Sequence, residues 1–109
     1  MRKRSYDVIL LRRAERMMLL HTEFLSRLSP VAARGLTESY GDIISRLAGD
    51  PYQFPFADEM DMPDIPPETY RKCLFDKRYK ALFFIEGNSV FTDTVIDCRQ
   101  ENKTLFNNS

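Results

Sequence analysis

Five of the six prolines in this 109-residue chain, Pro51, Pro55, Pro63, Pro66 and Pro67, fall in one stretch between positions 51 and 67. Proline fixes φ and lacks an N–H, so it stays out of helix interiors and central strands. The stretch from about 50 to 68 is therefore expected to be a loop, with the regular structure built before and after it. It also carries Asp50, Asp58, Glu59, Asp61, Asp64 and Glu68 and no lysine or arginine. Phe54, Phe56, Met60 and Met62 make it apolar as well as acidic, which predicts a loop lying over the domain surface and not a solvated linker.

Ahead of the loop, Tyr6, Val8 and Leu10 alternate with Asp7 and Ile9, the period of a short strand ending at the Arg12–Arg13 pair. From Arg12 to Leu28 the period lengthens: Ala14, Met17, His21, Phe24, Leu25 and Leu28 recur at steps of three and four, the stripe of an amphipathic helix. Ser29 offers an N-cap hydroxyl and Pro30 suits a first helical position that needs no N–H, so a second helix is expected to start after a tight turn. Its apolar face runs through Ala32 or Ala33, Leu36, Tyr40, Ile43, Ile44 and Leu47, and Gly49 before Asp50–Pro51 marks its end. Gly35 and Gly41 inside it each weaken it by about 1 kcal/mol relative to alanine.

Beyond the loop, 70–75, 79–85 and 90–98 are rich in aromatic and β-branched residues, and 76–78 and 86–89 are hairpin-length connections with Gly87–Asn88 as the clearest turn signal. The tail from Gln100 is polar apart from Leu105 and Phe106, with an end expected to fray. The pattern predicts one α+β domain over 1–109 in the order β-α-α-β-β-β, an antiparallel sheet with an N-terminal helical hairpin packed on one face.

Lys+Arg and Asp+Glu number 16 each, so the chain has no net field to draw in nucleic acid. Locally it is polarised: Arg2, Lys3, Arg4, Arg12, Arg13 and Arg16 crowd the start, and Arg71, Lys72, Lys77, Arg78 and Lys80 follow the acidic loop. The longest apolar run of the first helix, Met17 to Leu20, is far short of the roughly 20 residues that cross a bilayer. The opening residues lack a signal-peptide pattern, so no membrane association and a cytoplasmic location are the expectation. Cys73 and Cys98 have no metal-ligand spacing, and His21 is the one histidine, so neither a metal nor a cofactor is expected. If the two cysteines occupy the outer strands of a three-stranded meander, about 9 to 10 Å separates them, beyond the roughly 7 Å limit for a disulfide; both are read as unbridged thiols.

The run Tyr70-Arg71-Lys72-Cys73-Leu74, then Arg78-Tyr79-Lys80-Ala81-Leu82-Phe83, then Val95-Ile96-Asp97-Cys98-Arg99-Gln100, resembles the RelE/ParE superfamily pattern. That pattern has a tyrosine–basic pair on the second strand, a Tyr–basic–x–x–aromatic third strand and an arginine where the fourth strand ends. The opening strand and Ala-bearing helix are also similar, and the resemblance covers the chain apart from a longer proline-rich loop. It implies the toxin half of a type II toxin–antitoxin pair (plasmid stabilisation protein), neutralised by a cognate antitoxin. The implied target is DNA gyrase in ParE-like members or the ribosome and its mRNA in RelE-like members, the latter being mRNA endoribonucleases. A non-toxic regulatory or interaction module of the same fold is the further alternative.

By residue-to-residue match, the resemblance makes Arg71, Lys80 and Arg99 the candidate site, contacting phosphate or stabilising charge in a transition state. RNA cleavage would also need a base for the 2′-hydroxyl proton and an acid for the leaving oxygen. Cys73 stands where RelE-like enzymes carry a second lysine, and Leu105 and Phe106 stand near their C-terminal tyrosine. An unperturbed lysine, with pKa about 10.4, is almost wholly protonated at neutral pH, so Lys80 would act as base only if Arg71 or Arg99 lay close enough to lower it. The plainer reading of Arg71 and Lys80 is a solvated strand face, and of Arg99 pairing with Asp97 or Asp93. His21 reads as a core or boundary residue, and the arginines of the first helix as a solvated face.

Overall fold

The turn between the helices forms through its own side chain. Ser29 stays extended, its N–H donates to the Leu25 carbonyl at 2.8 Å, and its hydroxyl accepts from the Ala32 N–H at 3.2 Å with Pro30 opening the next helix. The computed structural model describes residues 5–58, 61 and 63–98. Over these the chain forms β1 (Asp7–Leu10), α1 (Arg12–Leu28), α2 (Pro30–Gly49), a 3-10 turn (Pro51–Gln53), β2 (Arg71–Phe75), β3 (Tyr79–Glu86) and β4 (Ser89–Asp97). None of these helices is long and apolar enough to cross a membrane.

Helix α2 buries Ala33, Leu36, Tyr40, Ile43 and Leu47, the helical period read from the sequence, but leaves Ile44 of the expected face exposed. It runs unbroken through Gly35 and Gly41, where a Cβ would meet nothing within 4 Å. Gly41→Ala is accordingly expected to raise stability by about 0.5 to 1 kcal/mol, since alanine loses less backbone entropy on folding; the urea midpoint at unchanged slope is the measurement. Helix α1 differs from the expectation. Ala14 and Leu25 are buried and Met17 and Met18 pack against the core, but Phe24 and Leu28 are exposed, together with Leu19 and Leu20. A 17-residue helix spans about 25 Å, whereas β1, the strand leading into it, has four residues.

The sheet corrects the expected antiparallel arrangement. It is mixed, in the order β1-β4-β3-β2, with β2–β3 and β3–β4 antiparallel and β1 parallel to β4 from Asp7↔Ser89 to Leu10↔Thr92. Consecutive strands joined by short turns must run antiparallel, but β1 and β4 are joined by everything between them, so no local turn fixes their direction. The β2–β3 connection is tight, with Asp76 and Lys77 both at positive φ, 51° and 64°. In the same connection, Arg78 grips the buried Asp97 of β4 with two hydrogen bonds, Nη2–Oδ2 at 2.6 Å and Nε–Oδ1 at 3.3 Å.

Both helices cover one face of the sheet. On that face Cys73, Phe75, Tyr79, Ala81, Phe83, Val90 and Val95 form the core with Leu36, Tyr40 and Leu47, and Tyr40 meets Phe75 at 5.5 Å between ring centroids. Alternation sends Lys72, Lys80, Leu82 and Phe84 to the other face. A bulge between Leu82 and Phe83 pairs Thr94 and Thr92 with them and leaves Asp93 between, without a cross-strand partner.

The proline-rich segment wraps the β2 edge. Phe54 is buried edge-on against Phe83 at 5.9 Å, beneath the Arg46 guanidinium at 5.0 Å. Phe56 then bridges Arg71, the Lys72 N–H donates to the Pro55 carbonyl at 2.9 Å and the Ala57 N–H to the Tyr70 carbonyl at 2.8 Å. An edge strand left open would offer these groups to other chains; here the loop takes them.

Candidate functional site

Of the expected residues, the structure places Arg71 and Lys80 on opposite sides of the sheet. Arg71 is cross-strand to Phe83 and so shares the helix-bearing side, whereas Lys80 is cross-strand to Leu74 and Ile96 and projects from the opposite side. Arg99 lies outside the described residues. Arg71 is also engaged: its Nη1 donates to the Phe54 carbonyl at 2.6 Å, and its guanidinium lies 4.0 Å from the Phe56 ring centroid and 5.2 Å from that of Tyr52. A guanidinium between two aromatic rings is a firm clamp, and this one fixes the loop to the sheet edge.

The cation that does accompany Lys80 is Lys72, which the sequence reading passed over in favour of its neighbour. Lys72 is cross-strand to Leu82 and Lys80 to Leu74, so the two ammonium groups project from the same face as diagonal neighbours on adjacent strands. Alternation alone could have paired them, because the buried Cys73 and Phe75 fix which way Lys72 points. Asp61 joins them: Oδ1 accepts from Lys80 Nζ in a short ion pair, and Oδ2 lies 3.4 Å from Lys72 Nζ. Asp58 adds a second carboxylate 3.5 Å from Lys72. The two acids brace each other, the Asp58 N–H donating to Asp61 Oδ2 at 3.0 Å and the Asp61 N–H to Asp58 Oδ1 at 3.2 Å.

The Asp61 side chain is only 4% exposed. Burial alone would push its carboxyl up, but the hydrogen bond from Lys80, that from the Asp58 N–H and the charges of Lys80 and Lys72 outweigh burial and bring it from 3.8 to about 2. A carboxyl lowered on folding stabilises the fold above its unfolded pKa and ceases to do so as pH falls toward the folded one. Between pH 5 and pH 2 the protein is expected to lose about 1 to 2 kcal/mol of stability through this group. Urea unfolding at several pH values checks this: Asp61→Asn should flatten the loss, and an unchanged pH profile in that variant would contradict the assignment.

Leu74, Leu82 and Ile96 flank the lysine pair in register, and further along the same helix-free face lie aromatic rings. Tyr70 meets Phe84 edge-on at 5.5 Å, and Phe84 stacks on Phe91 at 5.1 Å and 22°. The Tyr70 hydroxyl donates to Asp93 Oδ2 at 3.3 Å. Burial first, and then the charge and hydrogen bond of Asp93, push the Tyr70 phenol up, against a smaller opposing effect of Arg13. Beside Tyr70 a cleft of about 310 Å³ opens between Ala57, Asp58, Pro63, Ile65, Pro66 and Pro67.

The remaining reactive groups lie elsewhere. His21 Nε2 is 2.9 Å from the Val95 carbonyl, which can only accept, so that nitrogen carries the hydrogen; the ring packs 5.2 Å from Tyr79 on the helix side. The Cys73 thiol is buried and pushed up to about 11, which removes it as a nucleophile near neutral pH. Among the described residues no group of three His, Cys, Asp or Glu side chains could hold a metal. The face can therefore offer two cations and a set of aromatic rings, a combination suited to phosphate and planar groups. No family model matches the chain, and no curated protein matches it.

Proposed function

We propose that the chain is the toxin of a type II toxin–antitoxin pair of RelE/ParE type, acting in the cytoplasm on DNA gyrase or on translation and neutralised by a cognate antitoxin. The observation that carries this reading is the placement of Lys72 and Lys80 on the same sheet face as Tyr70, Phe84 and Phe91, the face that neither helix covers. It is supported by the element order and by the resemblance of the three C-terminal strands. In this reading Lys80 keeps its role as a phosphate contact with Lys72 as its companion, Arg99 is kept as a candidate from the sequence resemblance alone, and Arg71 acts as the loop clamp. The exposed Leu20, Phe24 and Leu28, at helical spacing on α1, give an antitoxin segment apolar anchors to dock on.

The endoribonuclease version is the weaker of the two. Asp61, the carboxylate between the lysines, is held too acidic to take a proton near neutral pH, and the one histidine packs on the opposite face. Expression of the chain alone in a bacterial host is expected to arrest growth, and co-expression of the adjacent gene's product to restore it. Lys72→Gln/Lys80→Gln should abolish the arrest at equal protein level. DNA-damage signalling with intact message would indicate gyrase, and cleaved message the ribosome. Normal growth on expression of the soluble, folded chain would overturn the toxin reading.

A further inference from the structure

Two like charges on neighbouring sheet positions repel, and a chain that places Lys72 next to Lys80 needs an anion between them. The anion present is unusual in its source. It comes from neither β2 nor β3, the strands that carry the lysines, but from the proline-rich segment, which reaches the helix-free face after wrapping the β2 edge. That segment is also fixed independently of the two ammonium groups, through the Arg71 clamp, the Phe54–Phe83 contact and the backbone bonds at Pro55 and Ala57. Asp61 can therefore leave the lysines while the segment keeps its hold on the sheet. A carboxylate receiving one ammonium on each oxygen also reproduces the way two lysines hold a phosphate.

We propose that Lys72 and Lys80 form a phosphate-binding pair that the chain keeps occupied with its own Asp61 carboxylate, so that a phosphate ligand binds by displacing that carboxylate. Asp58 reinforces the block, since it pairs with Lys72 and donates its N–H to Asp61. Displacement makes phosphate affinity the intrinsic affinity of the lysine pair reduced by the fraction of molecules in which Asp61 has left. This concerns anion binding and not growth, so it stands or falls separately from the toxin reading.

Calorimetric titration of the full chain with tripolyphosphate tests it. Asp61→Asn is expected to bind about tenfold or more tightly than the wild type, within the usual range of coupling between competing groups. Asp64→Asn removes the same charge from an exposed position of the same segment and should bind like the wild type. Adding Lys72→Gln and Lys80→Gln to Asp61→Asn should erase the gain. Equal binding by wild type and Asp61→Asn, an equal gain in Asp64→Asn, or a gain that survives loss of the lysines would each overturn the proposal. Hydrogen exchange on the wild type gives a reading that needs no variant to fold. Tripolyphosphate should speed exchange at the Asp58 and Asp61 amides, which donate to the paired carboxylates, and leave the Ala57 and Lys72 amides protected. No change at those two acids at any tripolyphosphate concentration would overturn it as well.

Discussion

Asp97→Ala is expected to destabilise the protein by about 3 to 5 kcal/mol, a large share of the roughly 5 to 15 kcal/mol available to a domain of this kind. The Asp97 side chain is 2% exposed and that of Arg78 20%, and the two make a bidentate pair. Its hydrogen bond raises the Arg78 pKa despite the opposing effect of burial. Arg78 also lies 5.1 Å from the Tyr79 ring centroid, so loss of the carboxylate leaves a guanidinium held by the fold without its counter-charge. The cost is that of a stranded charge, not the net worth of the pair. Glu23–Arg27 provides the contrast: at 3.6 Å and mostly exposed on α1, its removal should change stability by at most about 0.5 kcal/mol. Denaturant unfolding of both variants decides the matter, and a loss below about 1 kcal/mol for Asp97→Ala would mean that water replaces the carboxylate.

Phe83→Ala should cost a similar amount, about 3 to 5 kcal/mol, from the transfer of a ring out of a packed core and the cavity left behind. Phe83 is fully buried at the centre of β3. Its second effect is more specific. Phe54 rests edge-on against this ring, and the segment carrying Phe54 also supplies the Arg71 acceptor and the Pro55 carbonyl to Lys72. The variant should therefore lose hydrogen-exchange protection at the Lys72 amide beyond what its global destabilisation explains. Phe83→Leu, which keeps most of the volume, should cost under about 1.5 kcal/mol and retain that protection. Equal protection at Lys72 in wild type and Phe83→Ala, measured where both are folded, would separate the loop from the core.

Much of the fold can be read along the chain because its signals are local. The Ser29–Pro30 junction, the end of α2 at Gly49 and the three C-terminal strands follow from caps, prolines and period, and each appears within a residue or two of its expected position. What could not be read this way depends on residues far apart in sequence. The direction of β1 against β4 is one case. The exposure of Phe24 and Leu28 is another, since periodicity gives the face of a helix but not how far the sheet extends beneath it. The site shows the same division. Strand alternation was sufficient to set Lys72 beside Lys80 and Arg71 on the other side, but matching by family position selected the wrong member of the Arg71–Lys72 pair as the companion of Lys80. The apolar and acidic composition of the loop predicted that it lies over the domain surface, but only its path around the β2 edge reveals that Asp61 meets Lys72 and Lys80.

The partnership of β1 with β4 also sets an order of events in folding. Asp7–Leu10 is synthesised well before its ladder partners, which run from Ser89 to Thr92. Until then the opening strand has no place to bond, and the helical hairpin has only a partial floor to settle on. Closure of so long a separation slows folding, and a chain truncated before β4 would leave its first strand as an unclaimed sticky end.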